Sequence, residues 1–208
     1  MDKVVVYGAG GCGRGVHQIA EDAQVPVVGW LDDDPARLGT TEHGLLVLGG
    51  AEWLQEQPSV SVILGVGSPA VKVRIVGRIP CHTDVARLTH PRAWVAARAS
   101  VGDGTVIFAG AMVNAGATIG RFTTINMSCT VGHDVLIEDF VTLAPGVSLS
   151  GYVRIGAGAE LGAGAVVIPG RSVGAGAMIG AGAVVISDIP AGATAVGVPA
   201  RVIKERIP

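Results

Sequence analysis

Aromatic residues are nearly missing from this chain: three Trp, two Tyr and three Phe among 208 residues, with only 15% of positions charged. Neither a ring-filled core nor a heavily charged solvating surface can organise it. Cysteine is scarce as well. Cys12, Cys81 and Cys129 share no C-x-x-C spacing, which argues against a disulfide framework and against a cysteine zinc site. No apolar run approaches the roughly 20 residues that span a bilayer, so a mean hydropathy of +0.52 reflects dispersed Ala, Val and Ile, and no membrane association is expected. Met1-Asp2-Lys3 leads straight into Val4-Val5-Val6-Tyr7 without the apolar core of a signal peptide, and the expected compartment is the cytoplasm. A net charge of −2 leaves no basic excess for neutralising phosphates, so nucleic acid is not an expected partner.

What the chain has in quantity is glycine, 32 residues of it, and a strict period. From Val95 through Val101, Ile107, Val113 and onward to Val185, every sixth residue is aliphatic, sixteen in all. Four residues after each stands a second residue, usually small: Ala99, Thr105, Ala111, Ala117 and their successors, with Arg171 the exception. A period of six matches neither the 3.6 of a helix nor the alternation of an ordinary strand. It matches a parallel β-helix of hexapeptide repeats, in which each hexad gives one short strand and one Gly- or Ala-rich turn. Three hexads close a triangular coil, so the sixteen predict a little over five coils, and residues eighteen apart lie one above another. Each coil is stabilised mainly by its neighbours.

The first eighty-odd residues read differently. A buried strand over residues 3–7 runs into Gly8-Ala9-Gly10-Gly11-Cys12-Gly13 and a helix to about Asp22. A second strand over Val25 to Leu31 ends in Asp32-Asp33-Asp34-Pro35, and a third, Val60 to Val66, runs into Gly67-Ser68-Pro69 and a helix to about Arg78. This is a Rossmann-like βαβ pattern. Glycines let backbone N–H groups approach a phosphate at a helix N-terminus, and an acidic pair after the second strand can accept bonds from a sugar or base. A nucleotide or nucleotide-sugar is the favoured ligand. No second mononucleotide-binding half follows to hold a dinucleotide. Glycines that only permit tight packing of helix on strand are the competing reading. The expected organisation is a nucleotide-sugar-binding domain over residues 1–88 and a β-helix domain with a C-terminal tail over residues 89–208.

Most turns of the repeat are Ala-Gly, so departures from that wording carry information. They cluster from Arg121 to Tyr152: Arg121-Phe122, Met127-Ser128, His133-Asp134, Asp139-Phe140 and Gly151-Tyr152. His133 is the sole histidine after His90 and occupies a turn, so its ring is expected outside the aliphatic column. An imidazole accepts a proton near neutral pH, as attack of an amine or hydroxyl on an acyl group requires. Asp134 can orient the ring. Eighteen residues on stands Gly151, whose backbone N–H lies at the adjacent level, a plausible donor to a thioester oxyanion. A solvated surface histidine and a glycine needed only for the bend are the alternatives.

These residues resemble the bacterial sugar acyltransferase family that includes the nucleotide-amino-sugar N-acetyltransferases and the sialic acid O-acetyltransferases. The matching segments are Tyr7 to Gly13, Leu31-Asp32-Asp33, Ile125-Asn126, Val131-Gly132-His133-Asp134, Leu149-Ser150-Gly151 and Val196-Gly197-Val198-Pro199-Ala200-Arg201. The resemblance implies an N-terminal Rossmann-like α/β domain followed by an all-β left-handed parallel β-helix, assembled as a homotrimer with acetyl-CoA between adjacent helices. It implies His133 as general base, Asp134 as its support, the Gly151 amide at the thioester oxygen and Asn126 near the amine. It also implies Gly10, Gly11, Cys12, Asp32, Asp33 and Gly67 as contacts for the nucleotide part of the substrate, Thr142, Gly151, Ala163 and Ala181 as coenzyme A contacts, and no metal. Some relatives carry a second histidine where Thr142 stands, and Ser-Gly-His in place of Gly10-Gly11-Cys12.

The expected reaction is therefore acetyl transfer from acetyl-CoA to the amine of a UDP- or GDP-linked 4-amino sugar. O-acetylation of sialic acid or another sugar hydroxyl is the alternative. Zinc-dependent hydration of carbon dioxide on the same β-helix would need a cluster of imidazoles, and the repeat supplies one. Arg201, Lys204 and Arg206 are candidate contacts for coenzyme phosphates or merely solvated charges.

Overall fold

The computed structural model describes residues 3–204, which divide after Pro91 into two compact units. Arg206 lies outside the described residues. In the first unit, β1 (Val4–Tyr7) is followed by α1 (Gly11–Asp22), β2 (Val27–Leu31), β3 (Thr41–Glu42), β4 (Leu45–Gly49), β5 (Ser61–Leu64) and α2 (Pro69–Val76). The sheet order is β3-β4-β2-β1-β5. All pairs are parallel except β3 with β4. β1 is buried along its whole length, as an apolar run in a parallel sheet should be. The order reverses at β1, so the carboxyl ends of β1, β2 and β5 open onto the crevice where such sheets bind ligands.

The β3–β4 hairpin is an element the sequence reading did not anticipate. Leu45 to Leu48 extend the sheet beyond β2, and Trp30 Nε1 donates to the carbonyl of Glu42 at 2.8 Å, which ties the hairpin down.

In the second unit, two-residue strands stack into three parallel faces. The first runs from Trp94–Val95 to Val184–Val185, the second from Ser100–Val101 to Ser172–Val173, and the third from Val106–Ile107 to Met178–Ile179. Partners are eighteen residues apart throughout, for example Val113 with Val131 and Ile119 with Ile137. The third face continues into Thr194–Val196 and closes with the antiparallel strand Arg201–Lys204. The inward residues form one continuous column from Ile107 to Ala200, with Val95, Ala99 and Val101 only partly covered in the first coil. Arg171, at a position where the other coils place a small or aliphatic residue, keeps 41% of its side chain exposed and extends toward Asp188. Cys129 fills its inward slot, donates to the carbonyl of Ala144, and burial pushes its thiol up to about 11. Among the described residues no helix is long and apolar enough to cross a membrane, and no group of three or more His, Cys, Asp or Glu is arranged to hold a metal.

Candidate active site

His133 sits on the edge between the first and second faces, in the turn joining Thr130–Val131 to Leu136–Ile137. Its side chain is 58% exposed, and Nδ1 lies 3.0 Å from Asp134 Oδ2. Two glycines clear the space for this pair. A Cβ placed on Gly151 would lie 2.5 Å from His133 Nε2, so the imidazole rests directly against the bare backbone of Gly151. A Cβ on Gly116, one coil below Asp134, would collide with the carboxylate. The Tyr152 ring stands perpendicular to the imidazole with centroids 4.9 Å apart.

The geometry has a definite chemical reading. With Asp134 accepting from Nδ1–H, the proton-accepting lone pair is on Nε2, the nitrogen beside Gly151. At the equivalent corner position, the N–H groups of Arg121, Met127 and Ala157 are capped by Asp139, Asn126 and Glu138. The Gly151 N–H, like those of Ala163 and Ala181 at the same position of their hexads, has no protein acceptor among the described residues. An imidazole and a backbone N–H donor thus share one corner.

Asn126, Ala163 and Ala181 are not at that corner. They occupy the edge between the third and first faces, with Asn126 at the level of His133 and the alanines in the second and third coils above Met127. Asn126 Oδ1 accepts from the Met127 N–H at 2.9 Å, which leaves its NH₂ as the group available to a ligand. Thr142 is buried on the third face, between Thr124 and Glu160. One protomer therefore brings together His133, Asp134 and Gly151 and holds Asn126, Ala163 and Ala181 on a second edge. Arg201 donates to the carbonyl of Ala200 beside it, and Lys204 ends the last strand.

In the α/β unit a cleft of about 420 Å³ lies at the ends of β1, β2 and β5, lined by Gly10, Gly11, Cys12, Asp32, Arg37 and Gly67 among others. The glycines around it divide into two groups. A Cβ on Gly13 would overlap the carbonyl of Gly8, and one on Gly65 would approach Gly13 Cα at 2.6 Å, so these permit close packing of helix on sheet. Gly8 adds a φ of +112°. Gly10 and Gly67 face open space, and a Cβ on Gly11 would meet only Arg14 at 3.7 Å. Packing accounts for the first group and not for the second.

Asp32 and Asp33 are both engaged. Asp32 accepts from the Ala9 N–H at 3.0 Å and so ties the glycine turn to the end of β2. Asp33 accepts from the Tyr7 hydroxyl at 2.5 Å and pairs with Arg78 at 2.7 Å. Burial, then that bond to Asp33, pushes the Tyr7 phenol far above its ordinary range, so it remains a donor. Burial likewise pushes the Cys12 thiol up against the pull of Lys72. A neutral thiol lines the cleft, not a thiolate. Arg37, which the sequence reading passed over, donates to the carbonyl of Ala9 at 3.1 Å and places a cation in the cleft wall. A second hollow, lined by Asp33, Asp34, Gly50, Glu52 and Arg78, adjoins it through the shared Asp32 and Asp34.

Residues 3–79 match the family model for the PglD N-terminal domain. Over its full length the chain is similar to solved structures. One is a histidine-to-asparagine mutant of perosamine N-acetyltransferase from Caulobacter crescentus in complex with CoA and GDP-perosamine. It is 31% identical over 99% of this chain and 98% of that one, with a TM-score of 0.92. The acetyltransferase domain of PglB from Neisseria gonorrhoeae in complex with acetyl coenzyme A is 33% identical over 97% and 99%, with a TM-score of 0.90. WeeI from Acinetobacter baumannii is 28% identical over 96% and 99%, with a TM-score of 0.88. None of the curated proteins matches the chain. Identity above 30% across nearly the whole of both chains settles the family: this protein belongs to the bacterial sugar acetyltransferases built on hexapeptide repeats, with an α/β domain ahead of a left-handed parallel β-helix.

Proposed function

We propose that this protein transfers the acetyl group of acetyl-CoA to the amine of a UDP- or GDP-linked 4-amino sugar, with His133 as general base. The observation that carries the reading is the contact of His133 Nε2 with the Gly151 backbone while Nδ1 faces Asp134. The neutral amine attacks the thioester carbonyl, and the carbonyl π electrons move onto oxygen. His133 Nε2 takes a proton from the attacking nitrogen, and the Gly151 N–H donates to the oxyanion. Collapse re-forms the carbonyl and breaks the C–S bond. The departing thiolate takes the proton from His133, leaving free coenzyme A and an amide, with no acyl-enzyme. Asp134 holds the tautomer and favours the transient imidazolium.

The nucleotide part of the acceptor lies in the α/β cleft, its phosphates on the N–H groups at Gly10, Gly11 and Cys12, with Gly67 leaving room beside them. Asp32 and Asp33 shape this cleft through the bonds they already make, and each keeps oxygen lone pairs for a sugar or base. Residues 1–88 thus serve as the acceptor-binding domain and 89–208 as the transferase domain. Asn126, Thr142, Ala163 and Ala181 act from a neighbouring copy in a homotrimer, which would bring the second edge against the His133 corner and lay coenzyme A between the two. The C. crescentus relative was crystallised with CoA and GDP-perosamine, and the N. gonorrhoeae domain with acetyl coenzyme A, which supports both ligand classes.

Thiol release from acetyl-CoA with UDP- and GDP-linked 4-amino sugars tests the reading, with nucleotide-free sialic acid as the O-acetylation control. His133→Ala should lower kcat by about 10²- to 10⁴-fold and leave the thermal midpoint unchanged. Full activity in that variant overturns the base. Turnover of sialic acid alone overturns the acceptor.

A further inference from the structure

We infer that Tyr152 is a positioning residue for His133: its ring, not its hydroxyl, holds the imidazole so that Nε2 stays against Gly151. The inference rests on the assignment of His133 as base. It starts from a conflict between sequence and backbone. Along this edge the successive corner positions are Gly116 at φ +76°, Asp134 at +57°, Tyr152 at +62° and Gly170 at +69°. A left-handed conformation costs an L residue roughly 1–2 kcal/mol, and Asp tolerates it better than most through local hydrogen bonding. A tyrosine has no such compensation and would be replaced by glycine if only the turn mattered.

What the ring does there is visible. The Tyr152 N–H donates to the carbonyl of His133 at 3.1 Å, which fixes the two corners in register. The ring then stands at 89° to the imidazole, centroids 4.9 Å apart. The side chain is 61% exposed, and its hydroxyl bonds to no protein group among the described residues. Aspartate 134 anchors the imidazole at one atom only, a contact about which a half-exposed ring can swing. The bare backbone of Gly151 meets the ring at one side and leaves the other side open. The Tyr152 ring supplies the wall and removes the swing. The groups facing the imidazole are thus the Asp134 carboxylate and the Tyr152 phenol. Small displacements of a catalytic group cost up to about 10²-fold in rate, which is the scale on which such a wall acts.

Three variants separate the ring from the hydroxyl and from the fold. Tyr152→Phe keeps the ring and is expected to retain kcat within about twofold. Tyr152→Gly and Tyr152→Leu are expected to lose about tenfold in kcat with KM for acetyl-CoA unchanged. Tyr152→Gly also relieves the left-handed corner, so its thermal midpoint should hold or rise while activity falls, which a merely structural role cannot produce. Imidazole ¹⁵N spectra of His133 in the free protein give a readout independent of any substrate. One fixed tautomer is expected in the parent and in Tyr152→Phe, and averaged signals in Tyr152→Gly. Unchanged spectra in Tyr152→Gly overturn the inference, as does unchanged kcat. A rise in acetyl-CoA KM at constant kcat makes the ring a substrate contact and overturns it too. Loss of activity in Tyr152→Phe equal to that in Tyr152→Gly assigns the role to the hydroxyl. An inactive His133→Ala beside a fully active Tyr152→Gly sinks this inference alone; an active His133→Ala sinks the base assignment as well.

Discussion

Two stretches of the same β-helix solve the same corner in different ways. From Gly158 upward the left-handed turn positions are all glycine: Gly158, Gly164, Gly170, Gly176, Gly182 and Gly192, with φ between +63° and +69°. Between 122 and 152 the corresponding positions hold Phe122, Ser128, Asp134, Phe140 and Tyr152, at φ from +54° to +62°, and Gly146 alone is glycine. Among the described residues, every non-glycine residue of the second unit with positive φ falls in that block. Strain of this kind persists where the surroundings over-determine it, and it concentrates at functional sites. The upper coils show what the repeat needs in order to fold; the middle coils show what it carries beyond that. Part of the difference is packing: Phe122 and Phe140 stack in parallel with centroids 5.1 Å apart, and Arg121 lies over the Phe122 ring. Part is the chemistry proposed for the His133, Asp134, Gly151 and Tyr152 cluster.

The sharpest way to break this contrast is to put a methyl group where the chemistry needs none. Gly151 lacks positive φ, so Gly151→Ala meets no backbone penalty, yet its Cβ would stand 2.5 Å from His133 Nε2. The imidazole must move, and with it the relation between the proposed base and the proposed oxyanion donor. A fall in kcat/KM of about 10²- to 10³-fold, equal to about 3–4 kcal/mol of barrier, is expected, with an unchanged thermal midpoint. An active Gly151→Ala would reduce this corner to a bend.

Phe122→Ala tests the packing half. The ring is buried and stacked on Phe140, while alanine keeps most of the left-handed penalty. Loss of the ring should cost about 3 kcal/mol of stability, read from chemical denaturation, and leave kcat of the remaining folded protein nearly unchanged. If the stability loss is near zero, the aromatic stack does not offset the strain it imposes.

Gly158→Ala is the matching control in the upper coils. Nothing lies within 4 Å of its Cβ, so the whole effect is the φ of +65°. About 1 kcal/mol of stability should be lost, with full activity. Gly151→Ala and Gly158→Ala together give crossed outcomes, activity without stability and stability without activity, if the two regions differ as described.

The same contrast marks how far the sequence could be read. The aliphatic period was legible because an inward slot such as Ile137 or Leu143 tolerates no polar residue, so the column is written directly into the chain. The position of His133 on a corner followed from its place in the hexad. Its pairing with Asp134 was expected, but whether two adjacent side chains at a turn meet is decided by the corner conformation, here left-handed at Asp134. The separation of Asn126 from His133 onto different edges was not read, although His133 stands seven positions after Asn126, more than one hexad. In the α/β unit the glycine turn and acidic run were readable. The sorting of Gly8, Gly13 and Gly65 into packing and Gly10, Gly11 and Gly67 into open space depends on contacts across the sheet. The β3–β4 hairpin was missed because its outer strand, Thr41–Glu42, is too short to show a pattern. Arg37, Tyr7 and Arg78 meet partners 26 to 45 residues away, which no local motif announces.

A last test uses two aspartates on one edge. Asp134 faces His133, whereas Asp188, three coils above it, accepts from the Ser172 N–H at 2.9 Å. That bond, with a smaller pull from Arg171, holds the Asp188 carboxyl below its ordinary value of 3.8. A carboxylate with a depressed folded-state pKa contributes stability above its unfolded value, and the contribution is lost as pH falls through the folded value. The Asp188→Asn variant should therefore be slightly less stable than the parent at pH 7, and the difference should vanish as pH drops below 3.8. Asp188 is exposed, so solvent screening keeps the effect the smallest of the four. Activity should not change in Asp188→Asn, because this acid caps backbone in a coil where the corner does no chemistry. A loss of activity there would mean that this edge of the upper coils takes part in the reaction, beyond the coenzyme A contacts proposed at Ala163 and Ala181 on the other edge, and the division drawn between the two regions would have to move upward by three coils.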